Sequence, residues 1–238
     1  MAVEAKTLDK RRSEIQRMFS DVAPRYDFLN RLLSARRDVA WRRAAARALE
    51  IRPGSLILDL CCGTGDQALA AQQYQARVFA ADFSLSMLSL AGQKFSATSL
   101  PRPHGLAGDT LRLPVSEGRF AGLTVSFGIR NVEDLAAGLR EMYRVLEPGG
   151  RAAILEFATP TGKLFRRLYL LYFLHLLPWI GRRLSPQGSA YQYLTDSVLS
   201  FPQRQEFLNE MTDAGFTNTA WQDLSGGIVC LYTGTRST

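Results

Sequence analysis

The sequence predicts a doubly wound α/β fold with a seven-stranded, mostly parallel sheet closed by a C-terminal antiparallel hairpin. Two observations predict it. Apolar runs alternate with helical patterns between residues 56 and 157, the rhythm of a sheet built from β-α-β units. The first run, Leu56-Ile57-Leu58-Asp59-Leu60, collapses into Cys61-Cys62-Gly63-Thr64-Gly65-Asp66, the strand, tight turn and helix start of a nucleotide-binding unit. Glycines at 63 and 65 let the backbone turn sharply and approach a ligand, which a Cβ at either position would resist.

The elements follow in order. A helix opens at Asp66, and a second apolar run, Arg77-Val78-Phe79-Ala80-Ala81, ends at Asp82. Ser84 caps the next helix, which runs to about residue 95. A loop around Pro101-Arg102-Pro103-His104 precedes a short strand ending at Gly108-Asp109. Residues 120–127 read as the fourth strand and 132–146 as an amphipathic helix broken by Pro148-Gly149-Gly150; residues 151–157 are the fifth strand, with Glu156 at its C-terminal end. Residues 216–224 and 228–235, joined through Gly226-Gly227, form the hairpin.

Two segments fall outside this core. In residues 13–41, Ile15, Met18, Phe19 and Val22 mark one helical face before Pro24 interrupts it. Residues 163–200 begin too apolar for an ordinary exposed helix, yet are too short and interrupted for a bilayer span of about 20 residues. They either pack as a core helix or roof an apolar substrate pocket and touch membrane. The expectation is a single domain: an N-terminal helical lid (1–50), a ligand-binding core (51–160), an apolar helical segment for substrate or membrane (161–200), and a helix with the hairpin (201–238).

With 238 residues and 46% hydrophobic content, the protein has enough apolar material to bury one substantial core. Cysteines 61, 62 and 230 lack metal-ligand spacing and lie in apolar stretches, so reduced, buried thiols, no metal and a cytoplasmic setting are expected. Residues 1–17 are charged and carry no apolar stretch of signal-peptide type. The net charge of +7 is placed unevenly: Arg166-Arg167 and Arg182-Arg183 bracket residues 168–181, which hold no formally charged side chain. That arrangement suits an anionic headgroup layer better than a duplex, and points to peripheral association with the inner face of a membrane. No base-flipping motif or aromatic-and-basic strip supports nucleic acid as a partner.

The glycine turn and Asp82 together point to an adenosine cofactor. A carboxylate seventeen positions after Gly65 can accept from both hydroxyls of a ribose lying over the turn. Gly63-Thr64-Gly65-Asp66-Gln67-Ala68 also satisfies the dinucleotide pattern, but Asp59 and Asp66 flank the turn with negative charge that repels phosphate. S-adenosylmethionine, with a sulfonium, an ammonium and no phosphate, fits that charge better than NAD. The plainer duty of Asp66 is a helix N-cap.

Thr64, Asp82, Asp109 and residues 126–131 all reach the carboxyl-end rim of the sheet, where ligands of such folds bind. Gly108-Asp109-Thr110 can hold an adenine edge, although an aspartate before a loop often serves only its turn. Ser126-Phe127-Gly128-Ile129-Arg130-Asn131 is more specific: a strand ending in glycine presents an Arg and an Asn where a methyl acceptor must sit. Capping a helix is the plainer duty of Asn131.

Several segments resemble the ubiquinone/menaquinone biosynthesis C-methyltransferase family. They are Met18-Phe19-Ser20-Asp21-Val22-Ala23-Pro24-Arg25-Tyr26-Asp27, the Ser126 to Asn131 segment, Met142-Tyr143-Arg144-Val145-Leu146-Glu147-Pro148-Gly149-Gly150, Leu155-Glu156-Phe157 and Leu224-Ser225-Gly226-Gly227-Ile228-Val229. The likeness runs from about residue 14 to 236. It implies a Rossmann-like methyltransferase fold and S-adenosyl-L-methionine-dependent methylation of a ring carbon on a polyprenylated quinol. By motif position the cofactor contacts fall on Thr64, Asp82, Asp109, Thr110 and Ser126, beside Asp59, Gly63 and Gly65 of the turn itself. Arg130 is expected to stabilise the developing phenolate, Asn131 to orient the neighbouring oxygen, and Tyr26 to contact the quinol. Cys61 and Cys62 stand where the family pattern has a small Ala, Gly or Thr, and Thr110 where it has Ala, small substitutions that cofactor binding is expected to survive. Demethylmenaquinol is the favoured acceptor; a benzoquinol, another lipid or phenol, and a catalytically silent subunit stay open, as does a homodimer.

Overall fold

The structure is a computed structural model that describes residues 27, 28, 30–32, 34–176 and 189–238. Its centre is a seven-stranded sheet in the order β3-β2-β1-β4-β5-β7-β6. The strands are β1 (Leu56–Leu60), β2 (Arg77–Asp82), β3 (His104–Ala107), β4 (Phe120–Ser126), β5 (Leu146–Phe157), β6 (Thr217–Leu224) and β7 (Val229–Thr235). β1 to β5 pair in parallel, and β7 runs antiparallel to both β5 and β6. The order reverses between β1 and β4, which opens a crevice at their carboxyl ends.

Both faces of the sheet are covered, which is why its strands read as nearly continuous apolar runs. Helices α1 (Arg37–Ala48), α2 (Asp66–Gln72) and α3 (Leu85–Ser96) lie on one face. There Trp41, Ala45, Ala68, Ala71, Ala91 and Phe95 pack with Ile57, Ala80 and Leu155. On the opposite face α4 (Leu135–Val145) and α7 (Gln205–Asp213) bring Leu139, Met142, Phe207 and Met211 against Leu58, Leu60, Leu123 and Ile154. Between them in sequence come α5 (Lys163–Leu171), extended by a π turn to Leu176, and α6 (Ser189–Ser200).

The differences from the sequence reading have local causes. α1 falls in the segment read as a lid, but Trp41, Ala45 and Ala46 are core, and Trp41 Nε1 donates to Ser225 Oγ at 2.9 Å. α4 starts at Leu135 because Asp134 caps it, accepting from the Ala137 N–H at 2.9 Å. Pro148-Gly149-Gly150 does not precede β5. It lies within it, where the pairing with β4 slips between Phe120 and Gly122. His104 opens β3 and stacks on Phe79 at 5.1 Å rather than sitting in a loop.

The apolar segment divides its faces. Tyr169 and Phe173 are buried with Val198 of α6, while Leu164, Leu168 and Leu171 stay more than half exposed, Leu164 at 75%. Among the described residues no helix is long and apolar enough to cross a membrane. Tyr26, Arg182, Arg183 and the His175 side chain lie outside the described residues.

Candidate functional site

The crevice is walled by the turns that follow β1 and β4. After β1 the backbone leaves through Cys61 at φ 51°, Gly63 at 53° and Gly65 at 86°, a left-handed path. The path is enforced: a Cβ on Gly65 would sit 2.4 Å from the buried Phe95 ring. After β4, Phe127 is also left-handed at φ 62°, and a Cβ on Gly128 would meet the Cys61 Cβ at 2.3 Å. The glycine of the Phe-Gly-Ile-Arg-Asn segment therefore lets the two turns press together.

Asp82, at the end of β2, holds the first turn. One carboxylate oxygen accepts from the Gly63 N–H and the other from the Ser84 N–H, both at 2.8 Å. Each oxygen keeps a second lone pair for a ligand hydroxyl. Burial raises the Asp82 pKa, against the backbone donors of Ser84, Gly63 and Phe83. Thr64 Oγ1 donates to Asp27 at 2.6 Å and accepts from Lys94 Nζ at 3.0 Å. Asp109 folds its own loop, accepting from the Leu111 N–H at 3.0 Å. Thr110 Oγ1 lies 3.5 Å from Cys61 Sγ, and Ser126 Oγ donates to Gln67 at 2.9 Å.

The aspartates that flank the turn do not act as the free charges the sequence suggested. Asp59 has the same strand parity as Ile57, points into the helical layer, and is 0% exposed. One of its carboxylate oxygens accepts from Thr124 Oγ1 at 2.9 Å, and the other is buried with no hydrogen-bond partner among the described residues. Burial pushes its pKa up to about 7, outweighing the Thr124 hydrogen bond and the Arg42 charge. Asp66 is bound by Lys94 at 2.8 Å and Arg31 at 2.9 Å. Burial raises its pKa, but Lys94, Arg42 and Arg31 together leave it below the ordinary value. The contrast between sulfonium and phosphate therefore does not rest on these two residues.

Arg130 is likewise engaged inside the protein. The residue is only 6% exposed. NH1 pairs with the fully buried Glu156 at 2.7 Å and also donates to the Phe127 carbonyl, while Nε donates to Ser197 Oγ at 3.3 Å. The Arg130 N–H approaches Glu156 as well, at 3.4 Å. Arg130 thus clamps the 127–131 turn onto the end of β5. Asn131 does not cap α4; Asp134 does.

Sequence reasoning missed Gln67, Lys94, Tyr193 and Ser197 as rim residues. Glu156 carried a signal, a carboxylate closing an apolar strand. The others gave none, because helix packing alone brings them to the rim.

The sequence profile of the ubiE/COQ5 methyltransferase family matches residues 5–236. The chain belongs to this family. A ubiquinone/menaquinone biosynthesis C-methyltransferase UbiE of Geotalea daltonii is 45% identical, over 96% of this chain and 99% of its own length. A demethylmenaquinone methyltransferase of Mycolicibacterium vanbaalenii is 42% identical over 97% and 98%. Among solved structures, a SAM-dependent methyltransferase from Aquifex aeolicus superposes with TM-score 0.60 at 14% identity, covering 82% of this chain and 89% of that one. At that identity the likeness shows the fold alone. The cofactor of this methyltransferase is S-adenosyl-L-methionine. The rim fits it: a turn from which side chains are sterically excluded, and a carboxylate with free lone pairs at the end of β2.

Proposed function

We propose that the protein methylates a ring carbon of a polyprenylated quinol, demethylmenaquinol, in menaquinone biosynthesis. The clamped 127–131 turn carries this reading, in a sequence 40–45% identical to relatives named for quinone C-methylation.

S-adenosyl-L-methionine, when bound, supplies an electrophilic methyl group on a sulfonium. Asp82 is suited to the ribose hydroxyls, Asp109 and Thr110 to the adenine edge, and the backbone of Gly63, Thr64 and Gly65 to close approach, with Ser126 at the crevice floor. The acceptor ring arrives already reduced as the quinol, and its carbon gains electron density when an adjacent hydroxyl releases its proton to solvent. Arg130 serves here as a positioning residue: paired with Glu156, it fixes the turn that carries Asn131. Orientation supplies much of the acceleration. Tyr26 remains a proposed contact to the quinol.

The exposed leucine stripe of α5, flanked by Lys163, Arg166 and Arg167, suits an isoprenoid tail and an anionic membrane surface. Replacing Arg166 and Arg167 by glutamine should weaken sedimentation with phosphatidylglycerol vesicles by about 1 kcal/mol per charge. Unchanged sedimentation would remove the membrane from the proposal.

The test of the activity is methyl transfer from labelled S-adenosylmethionine, under reducing conditions, to demethylmenaquinol and in parallel to the benzoquinol precursor of ubiquinone. Label in the naphthoquinol alone is the expected result. Label in both establishes dual specificity, a second reading favoured by the relatives named for both pathways. Label in neither sinks the quinol reading.

A further inference from the structure

Two polar side-chain atoms near the clamped turn are buried and make no hydrogen bond among the described residues: Asn131 Oδ1 and Tyr193 Oη. Buried polar groups without partners are rare in folded proteins and ask for an explanation. Tyr193 lies on α6, which packs against the 129–131 turn. One helical turn later, Ser197 accepts from Arg130 Nε at 3.3 Å. Residues four apart share a helix face, so the face carrying Tyr193 is the one turned toward Arg130. Ser197 is itself held by donating to the Leu194 carbonyl at 2.9 Å. Tyr193 also lies within electrostatic reach of both Arg130 and Glu156.

An orphaned hydroxyl beside a buried arginine and an orphaned amide oxygen on the same turn offer complementary chemistry to a ring bearing two oxygens. We propose that Tyr193 donates a hydrogen bond to the quinol oxygen next to the carbon that receives the methyl group. This rests on the quinol reading above. Asn131 Oδ1 supplies the acceptor for the hydroxyl across the ring. Burial, then Glu156, push the Tyr193 pKa up to about 12 against the pull of Arg130. The hydroxyl therefore keeps its proton at neutral pH and acts as a donor, not as the base. A hydrogen bond to the oxygen that loses its proton favours the quinolate, the form whose ring carbon is nucleophilic.

The test compares the wild type with Tyr193→Phe, which removes one oxygen atom and keeps the ring. The expected result is that kcat/KM for demethylmenaquinol falls by ~10²-fold, while S-adenosylmethionine affinity by calorimetry stays within about twofold, as for a residue outside the cofactor contacts. A wild type that labels the quinol and a variant that matches it overturn the role of Tyr193 and leave the quinol reading intact. A wild type inert toward the quinol overturns both. If Tyr193→Phe does not fold, 3,5-difluorotyrosine at 193 keeps ring and hydroxyl but ionises at lower pH. The basic limb of the kcat/KM profile should then move to lower pH, and an unmoved limb overturns the proposal.

Discussion

Around β1 and β2 the crevice is shaped by backbone, and around β4 and β5 by a buried ion pair. In the first half, left-handed turns exclude side chains, and the rim side chains find partners inside the protein: Asp82 with Gly63 and Ser84, Thr64 with Asp27, Asp66 with Lys94 and Arg31. In the second half Arg130 and Glu156 hold the turn, and Asn131 Oδ1 and Tyr193 Oη are left over. A surface whose side chains are tied down by internal partners, with the spare lone pairs of Asp82 left for a ligand, reads that ligand largely by shape. A surface that retains unused donors and acceptors reads its ligand by hydrogen bonds, and discriminates more sharply against one that lacks them.

The largest expected effect on cofactor binding comes from breaking the first half. Gly65→Ala puts a Cβ 2.4 Å from the Phe95 ring at φ 86°, and Phe95 is buried with little room to yield. Overpacking of this kind costs about 1–3 kcal/mol before the backbone strain is added. S-adenosylmethionine binding by calorimetry should be lost. Gly92→Ala is the control: its Cβ meets nothing within 4 Å, and in the helix interior it should stabilise the fold by roughly 1 kcal/mol. Equal behaviour of the two variants would mean that the turn is not the constraint.

Next comes the second half. Glu156→Ala leaves Arg130 buried without its counter-ion and should cost about 3–5 kcal/mol in urea unfolding. The pair replaced together, Arg130→Met with Glu156→Leu, should recover most of that stability yet not methyl transfer. Recovery of both would reduce the ion pair to packing and erase the contrast between the halves.

That contrast is legible in the sequence only on one side. Gly63, Gly65 and Asp82 announce themselves because a tight turn and a strand-end carboxylate are local patterns, and the seven strands follow from apolar runs buried on both faces. The 127–131 segment is visible as a motif, but its partners lie 26 and 67 residues away, and no local pattern predicts that Glu156 and Ser197 engage Arg130. The orientation of Asp59 is hidden for a related reason. Strand parity turns it from the rim into the α1–α3 layer, and parity relative to the crevice is known only once the sheet is assembled. Tyr193 gives no signal, since an aromatic residue on a helix reads as packing until its hydroxyl is found without a partner.

Asp59 lies beneath both halves, joined to β4 through Thr124, and its effect is set by pH. Its folded pKa of about 7 stands above the ordinary carboxyl value of 3.8, so between these values the native state holds a proton that the unfolded state has released. Stability must therefore fall as pH rises through this window and level off above it. Asp59→Asn lacks the titration, so urea unfolding should show the variant gaining on the wild type from about pH 4 to about pH 7. A gap that does not change with pH would mean that Asp59 ionises in the ordinary carboxylate range.

The smallest effect tests how far the first half is satisfied from within. Lys94 joins Asp27, Thr64 and Asp66, but it is partly exposed, so solvent screens the pairs and Lys94→Met should cost less than about 1 kcal/mol. The sharper readout is Asp66 itself. Its lowered pKa stabilises the fold above the unfolded value, a contribution lost as pH falls through the folded one. Without Lys94 the carboxyl should titrate at higher pH, visible in the carbon resonances of Asp66. If it does not move, Arg31 and Arg42 suffice, and the latch from α3 to the glycine turn is geometric and not electrostatic.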